Sequence, residues 1–354
     1  MGTTSTPGRA GHQMKNETVA VIATVLNERH SIQALLNAFL AQTLVPDEII
    51  VVDGGSTDGT IEVLKSYQNK CAVLKVHVEP GVNIARGRNI AIHRSSCNII
   101  AVTDGGCRPE PNWLEELVRP LLDDPSYGAV AGMQRIVGAN RFEEFAGLLS
   151  TSVNSAVEDD RMFYGRNSAF RKTIWAGTGG YPEWLYTAED TLFALRAKAL
   201  GCRVALSDRA VVSWRPRPNL RKLCKQYFLY GRGSGRIGRS DMRTVIYHLR
   251  NHALWMLPLV LASFFPWLLL VTAGVLAFLY ATLVKPILVS TRRRTDAGGS
   301  GFYVPLIVMA RSLYNNLGQL VGSWEYRRIE PFRTNHRRYQ AGEWRMSELA
   351  AGTS

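Results

Sequence analysis

Three acidic positions set the chemistry open to this chain. Asp53 closes the apolar run Glu48-Ile-Ile-Val-Val-Asp53 and is followed by the turn Gly54-Gly55-Ser56-Thr57-Asp58-Gly59. Asp104 closes Asn98-Ile-Ile-Ala-Val-Thr-Asp104 ahead of Gly105-Gly106, and Glu189-Asp190 open an amphipathic segment much later. Acids at the carboxyl ends of strands stand where open α/β sheets bind ligands. A carboxylate there can accept hydrogen bonds from a base or ribose, hold a hard cation against phosphate oxygens, or take the proton of a hydroxyl nucleophile. Three such sites on one α/β frame point to nucleotide-sugar chemistry.

The elements that must position these acids are legible as alternating periods. Apolar runs predict strands over 19–26, 49–52, 73–78 and 99–102, and helical spacing predicts helices over 31–41, 60–67 and 84–93. A βαβ series of this kind implies a mostly parallel sheet. Pro111 suits the first turn of a helix over 112–122, because its missing amide hydrogen would be orphaned there. Beyond it the pattern becomes mixed: a strand over 127–137, helical spacing from Phe142 to Val157 through Val153, an extended stretch over 167–171, a helix over 188–200 stopped by Gly201, and short strands over 203–206 and 211–214.

Composition bounds the rest. With 354 residues, 46% of them apolar, the chain can bury a sizeable core, so wholesale disorder is excluded. The net charge of +13 is uneven: between Arg209 and Arg250 eleven Lys/Arg face the single acid Asp241. Next to them, 253–284 carries no charge; as one straight helix it would measure about 48 Å, against a hydrocarbon core of about 30 Å. It is too long for one upright span and too short for two, leaving one tilted helix or a hairpin broken near Pro258, Pro266 or Gly274. A further apolar segment, 302–324, is interrupted by Arg311, Asn315 and Asn316 and reads as a span with a polar face or an interfacial helix. The chain is therefore expected to be membrane-anchored. The start, 1–17, is polar without the apolar core of a secretory signal, which places the first domain in the cytoplasm. Basic clusters at 236–250, 292–294 and 327–338 favour the cytoplasmic side but cannot all lie there if both apolar segments are simple spans. Five cysteines without CxxC spacing fit neither a zinc site nor a disulfide framework. No nucleic-acid module accompanies the basicity, so nucleic acid is not an expected partner.

The ordered motifs Thr24-Val-Leu-Asn-Glu28, Val52-Asp-Gly-Gly-Ser-Thr-Asp-Gly-Thr60, Ala85-Arg-Gly-Arg-Asn89, Thr103-Asp-Gly-Gly-Cys-Arg-Pro109, Gly179-Gly-Tyr-Pro-Glu183 and Ala188-Glu-Asp-Thr191 resemble the family 2 glycosyltransferases over about 19–236. The resemblance implies the GT-A fold, a Rossmann-like mixed α/β sheet, here followed by C-terminal membrane helices. It implies that Asp53, with Thr24, Leu26 and Glu28 of the first loop, contacts the nucleotide, and that Arg86, Arg88 and Asn89 lie near it as basic or amide contacts. Asp58 reads instead as a helix cap. Asp104, with Gly105, matches the first acid of the family's DxD, which holds Mg²⁺ or Mn²⁺ on the sugar diphosphate. This chain departs from that pattern, because the second acid position is Gly106 and the next residue, Cys107, is a soft ligand. Asp190 matches the general base of the family's ED pair; Glu189 accompanies it, with Tyr181 or Trp184 available on the acceptor side to stack on a sugar ring. The structural alternatives are that Asp104 caps a turn and that Glu189 and Asp190 only favour a helix start.

The expected organisation is a tail over 1–17, a GT-A domain over 18–235, a basic juxtamembrane segment over 236–252, membrane helices over 253–324 and a basic cytoplasmic tail over 325–354. The expected activity is an inverting, metal-dependent transfer from a nucleotide-diphospho-sugar to a glycan or lipid-linked acceptor, in cell-envelope polysaccharide synthesis at the cytoplasmic face of the plasma (inner) membrane, with membrane lipids as further partners. The rival readings are transfer onto a polyprenyl phosphate, whose attacking oxygen is already ionised, and a noncatalytic nucleotide-binding scaffold, which Gly106 makes conceivable.

Overall fold

The computed structural model describes residues 17–150, 157–293, 295 and 298–346. The expected tail 1–16, the helical position Val153, Arg294 of the second basic cluster and the chain beyond 346 lie outside the described residues. The described residues form two compact units, one of 17–135, 157–214 and 338–346, the other of 136–150 and 215–337.

The first unit is built on an eight-stranded sheet. Strands β1 (Val19–Val25), β2 (Glu48–Asp53), β3 (Leu74–Val78) and β4 (Ile99–Asp104) run parallel. With β5 (Cys107–Pro109), β6 (Tyr127–Ile136), β7 (Asn167–Arg171) and β8 (Arg203–Trp214) the order is β3-β2-β1-β4-β7-β6-β8-β5. The Val/Ile runs of β1, β2 and β4 are buried along almost their whole length, as expected of parallel strands covered on both faces. Helices α1 (Ile32–Leu40), α2 (Thr60–Gln68), α3 (Ile84–Arg94), α4 (Trp113–Asp123), α6 (Lys172–Thr178) and α7 (Glu189–Ala199) supply the cover. Ile90, Trp175 and Phe193 from α3, α6 and α7 pack on Ile22, Val52, Ile100 and Val102. Where two short strands were expected near the end, β8 is continuous: Ser207 donates its hydroxyl to the Glu116 carbonyl at 2.8 Å and Ala210 is fully buried, so the polar middle stays extended.

Register fixes the acids. Val25 pairs with Asp53 and Thr24 with Asp104, so the two carboxylates flank the end of β1 at nearly one level. Because β7 is antiparallel to β4, with Asn167 opposite Thr103, the chain entering β7 at Gly165-Arg166 passes beside Asp104.

The second unit is helical: α5 (Arg141–Ser150), α8 (Leu220–Arg236), α9 (Met242–Leu261), α10 (Leu268–Leu279), α11 (Lys285–Arg292) and α12 (Ser300–Arg328), followed by α13 (Phe332–Ala341), whose last turn belongs to the first unit. Phe145, Leu149, Leu223, Tyr227, Leu288, Val304 and Ile307 form its apolar cluster. Helices α8 and α12 meet through glycines; a Cβ on Gly231, Gly235, Gly318 or Gly322 would run into the backbone of the facing helix. The uncharged run 253–284 is a hairpin. It breaks between α9 and α10 at 262–267, around Pro266, whereas Pro258 and Gly274 stay inside helices. Phe264, Phe265 and Trp267 at its tip are exposed, and the helix Leu268–Arg292 is long and apolar enough to cross a membrane by length and composition.

Candidate active site

The site begins with two loops that tie each other down. Asn27 takes a left-handed φ of 56°, its amide donates to Ser56 Oγ at 2.7 Å, and its side-chain oxygen accepts from the Thr57 amide at 3.0 Å. The Glu28 amide donates to Thr60 Oγ1 at 2.9 Å. The β1–α1 loop is thus knitted to the β2–α2 loop. Asp53 is 0% exposed, and both its oxygens are used within this second loop, Oδ1 by the Gly55 and Ser56 amides at 2.8 and 2.7 Å and Oδ2 by Ser56 Oγ at 2.7 Å. Asp53 thus shapes the 54–56 turn, with both carboxylate oxygens engaged within it. Asp58 accepts from the Thr60 amide and hydroxyl at the start of α2. Leu26 is exposed beside Gly54. The Thr24 hydroxyl is buried without a partner among the described residues, and its methyl lies under Gly87, so this threonine packs α3 onto the strand.

Asp104, Glu189 and Asp190 are brought together twice. The buried Arg88 guanidinium donates through Nη2 to Asp104 Oδ1 and through Nη1 to Glu189 Oε1, each at 3.0 Å. From the other side, the Gly165 amide donates to Asp190 Oδ2 at 3.3 Å, while Arg166 Nε lies 3.6 Å from Asp104 Oδ2. A Cβ at Gly165 would overlap the Arg88 guanidinium, so glycine is what lets these two layers close. Asp190 Oδ1 also accepts from the Thr191 amide at 2.6 Å, in the first turn of α7, where the helix dipole favours a negative charge.

Burial sets the electrostatics. Burial and the neighbouring Asp190 charge raise Glu189 above the ordinary carboxylate range, against the pull of Arg88. Arg88 loses solvation too, but Asp104, Tyr181 and the two acids of the pair hold it firmly protonated. Its ring partner Tyr181 lies 5.3 Å away, and Arg166 sits 4.2 Å over the Trp214 ring.

Several expected ligands have internal work instead. Tyr181, expected to stack on a sugar, is buried among Phe170, Phe193 and Arg88 and belongs to the core. Asn89 is fully buried; its Nδ2 donates to Tyr181 O and Glu183 Oε1, and its Oδ1 accepts from Trp175 Nε1 and the Tyr181 amide. Arg86 pairs with Glu183 Oε2 at 3.1 Å and is half-buried. Trp184 is half-buried with its ring nitrogen sealed. The aromatic ring that does stand out of this loop is Tyr186, 71% exposed, which sequence reasoning passed over. Arg88 was visible among the basic contacts, but its bridging place was not. The available signal was its spacing from Ala85 and Ala91 on the buried face of α3, where a charge must be paired.

Asp104 keeps a 31% exposed side chain. A Cβ at Gly106 would lie 3.9 Å from Glu28 Oε1, and Glu28 Cγ crowds the Cβ position of Gly105. The Glu28 carboxylate therefore occupies the side where a second acid of the motif would stand. Cys107 is buried in β5, and burial and then the Asp104 charge push its thiol up to about 12. Among the described residues no group of three His, Cys, Asp or Glu gathers as a metal cluster. The oxygen donors at this corner, Asp104 and Glu28, are of the type a hard divalent cation takes, and in the structure Asp104 Oδ1 accepts from Arg88 and Glu28 Oε2 from the Ser31 hydroxyl.

A sheet of this order, with acids at the ends of β2 and β4 and at the start of α7, is an α/β ligand-binding frame. The family model of glycosyl transferase family 2 matches 20–177, and that of glycosyl transferase family group 2 matches 99–291, more than half of the chain. The chain belongs to this family, and it is a glycosyltransferase. It is 27% identical over 245 residues to glycosyltransferase AglE of Haloferax volcanii, covering 68% of this chain and 80% of the relative. It is 21% identical over 309 residues to the dolichyl N-acetyl-alpha-D-glucosaminyl phosphate 3-beta-D-2,3-diacetamido-2,3-dideoxy-beta-D-glucuronosyltransferase of Methanococcus voltae, covering 82% and 92%. Among solved structures, the mannosyltransferase PcManGT from Pyrobaculum calidifontis, in complex with GDP-Man and Mn2+, shares the GT-A fold, with a TM-score of 0.57, 20% identity and coverage of 90% of this chain and 93% of that one.

Proposed function

We propose that the chain is a membrane-anchored, inverting glycosyltransferase that moves a sugar from a nucleotide-diphospho-sugar to a hydroxyl of a glycan or lipid-linked acceptor. The observation that carries this is the double link between Asp104 and the Glu189-Asp190 pair, through Arg88 on one side and Gly165-Arg166 on the other. It brings a partly exposed carboxylate, Asp104, near one at a helix start, Asp190, which supports a donor-side role for the first and an acceptor-side role for the second. Asp190 takes the proton of the acceptor hydroxyl as that oxygen attacks the anomeric carbon, and the nucleoside diphosphate leaves with the electrons of the broken C–O bond. One displacement of this kind inverts the centre. Asp104 and Glu28 would hold a divalent cation, Mg²⁺ or Mn²⁺, whose charge offsets that of the leaving diphosphate. Arg88 keeps Asp104 and Glu189 in place, and the 26–31 and 54–60 loops form the nucleotide side. The dolichyl substrate in the name of the Methanococcus voltae relative supports a lipid-linked acceptor.

The hairpin supports the membrane reading. Its first arm has about 15 Å of uncharged helix beyond His252, half of a hydrocarbon core of about 30 Å. A hairpin that dips in and returns leaves the basic residues before it and after it on one face, which reconciles the clusters at 236–250 and 292–294; the cluster at 327–338 joins them where 302–324 lies at the interface rather than spanning. That face is assigned to the cytoplasm by the positive-inside rule.

The test is turnover by the detergent-purified chain with UDP-, GDP- and dTDP-sugars, in Mg²⁺, Mn²⁺ or EDTA, with membrane lipid extract as acceptor. Metal-dependent transfer that Asp190→Asn removes, with nucleotide binding retained, is the expected result. Nucleotide binding without turnover of any donor overturns it.

A further inference from the structure

Residues 338–346 follow the helical unit in sequence, yet they belong to the first unit. Tyr339 is fully buried and donates its hydroxyl to the Gly180 carbonyl at 2.7 Å. Trp344 is buried edge-on against Trp184, with ring centres 4.9 Å apart at 66°, and Tyr339 meets the same Trp184 ring at 5.5 Å and 72°. The Trp344 carbonyl lies 3.1 Å from where a Cβ on Gly179 would be, and Met346 Sδ fills the corresponding space at Gly180. Gly179 and Gly180 have φ of 85° and 90°, so this approach needs glycine at both positions. On its other side the segment accepts a hydrogen bond at the Gln340 carbonyl from Arg196 of α7, at 2.5 Å.

These contacts grip one loop. It runs from Gly179 to Ala188, itself left-handed at φ 66°, and delivers the chain into Glu189 and Asp190. Asn89 holds the same loop from beneath through Tyr181 and Glu183. We propose that Tyr339, Trp344 and Met346 form a C-terminal strap whose task is to position the 179–188 loop, and through it Asp190, for transfer. The strap touches no reacting atom; its residues are positioning residues. This inference rests on the assignment of Asp190 as base. It also means that the catalytic unit is discontinuous, completed by chain lying beyond the helical unit.

The experiment uses the full chain in detergent, with Trp344→Ala, Trp344→Phe and Tyr339→Phe. Hydrogen exchange is followed at 179–190 and, as internal reference, at β4 residues 99–104. UDP and GDP affinity and transfer to membrane lipid extract are measured alongside. In Trp344→Ala, exchange at 179–190 should rise at least about tenfold with β4 unchanged, because a local opening has been made easier without global unfolding. The turnover number should fall about 10–100-fold, since the base is misplaced rather than lost, while UDP and GDP affinity stays within about twofold because the nucleotide loops are untouched. Trp344→Phe should recover most of the turnover. Tyr339→Phe removes only the bond to Gly180 and should raise exchange at 179–181 about fivefold. Unchanged exchange at the loop in Trp344→Ala, or equal acceleration at β4 in both Trp344→Ala and Tyr339→Phe, overturns the strap. If the native chain transfers no sugar, the functional reading fails, and the exchange results still decide whether the strap holds the loop.

Discussion

Each unit contains a charge cluster around one buried side chain, and the two are of opposite sense; in the sheet unit Arg166 also approaches Asp104, at 3.6 Å. In the sheet unit one guanidinium, Arg88, serves two acids, Asp104 and Glu189. In the helical unit one acid, Glu325, serves two guanidiniums, Arg232 and Arg236, and ties α12 to α8. The chemistry of their leftover charge differs. Glu325 is 5% exposed, and although burial would raise it, the hydrogen bonds from Arg232 and Arg236 hold it down to about 2. Its acid is fully satisfied, and the excess charge sits on Arg232, whose side chain is 33% exposed. The Arg88 cluster is over-supplied with acid, keeps Asp104 open and drives Glu189 in the opposite direction, upwards. A buried ion pair is weak evidence for stability in itself; the two clusters differ in the sign of the charge left over, acid at Asp104 and base at Arg232.

The largest difference should appear in turnover. Asp190→Asn is expected to lower transfer about 10²–10⁴-fold, the usual worth of a general base, whereas Glu325→Gln should leave per-molecule activity of the folded fraction unchanged. Steady-state assays normalised to folded protein check both. Comparable losses in the two variants would remove the distinction between site and brace.

The second contrast is in stability. Removing the shared member of either cluster leaves one buried charge without its partner, Glu189 in one and Arg236 in the other, a change that costs up to about 3–5 kcal/mol. The costs should part with pH. In Arg88→Met the stranded acids can take up a proton, so the loss should shrink on acidification. In Glu325→Ala the guanidiniums cannot release one, so the loss should persist. Urea midpoints at pH 7 and 5 measure this, and an equal pH response would show that the clusters behave alike.

This difference also marks what was legible in the sequence. The Val/Ile runs ending in Asp-Gly announced β2 and β4, because a buried parallel strand needs an unbroken apolar run and the turn after it needs glycine. Helix starts at Thr60 and Ile84 were equally plain. What joins Asp104 to Asp190 was not, because the link depends on register between β4 and β7 and on a glycine, Gly165, that is missing a side chain where Arg88 arrives. Tyr181 looked like a sugar platform because an aromatic after Gly-Gly is chemically able to be one; only the packing of Phe170 and Phe193 on it decides otherwise. The hairpin break was one of three proline or glycine candidates, which local propensity alone could not rank. Trp344 carried no signal at all, since it sits in a basic, polar stretch with no period.

The linkage of the two acids to pH supplies a third prediction, with opposite signs. Glu325 is lowered from 4.5 to about 2, so its contribution is full above about 4.5 and is lost as pH falls toward 2. The native chain should therefore gain stability over Glu325→Gln as pH rises through that window. Glu189 is raised above 4.5, so the folded state prefers its protonated form and loses stability as pH rises through and above that value. Stability relative to Glu189→Gln should shift in favour of the variant over the same rise. Thermal unfolding of each pair across pH 3–7 gives the slopes, and slopes of the same sign would contradict the assigned directions.

The smallest effects lie in the glycines, which separate the units by how closely backbones approach. Gly318 and Gly322 of α12 meet the α8 backbone with no room for a Cβ, so Gly318→Ala should destabilise by about 1–3 kcal/mol through overpacking. Gly177, near the end of α6, has open space where its Cβ would point, and its φ is not left-handed. Alanine there keeps the backbone and narrows the unfolded ensemble, so Gly177→Ala should stabilise by about 0.4–1 kcal/mol. Turnover should change little in the second variant, because the added methyl meets nothing within 4 Å. A denaturation midpoint that moved the same way in both variants would mean that helix propensity, and not the tightness of the α8–α12 contact, governs these positions.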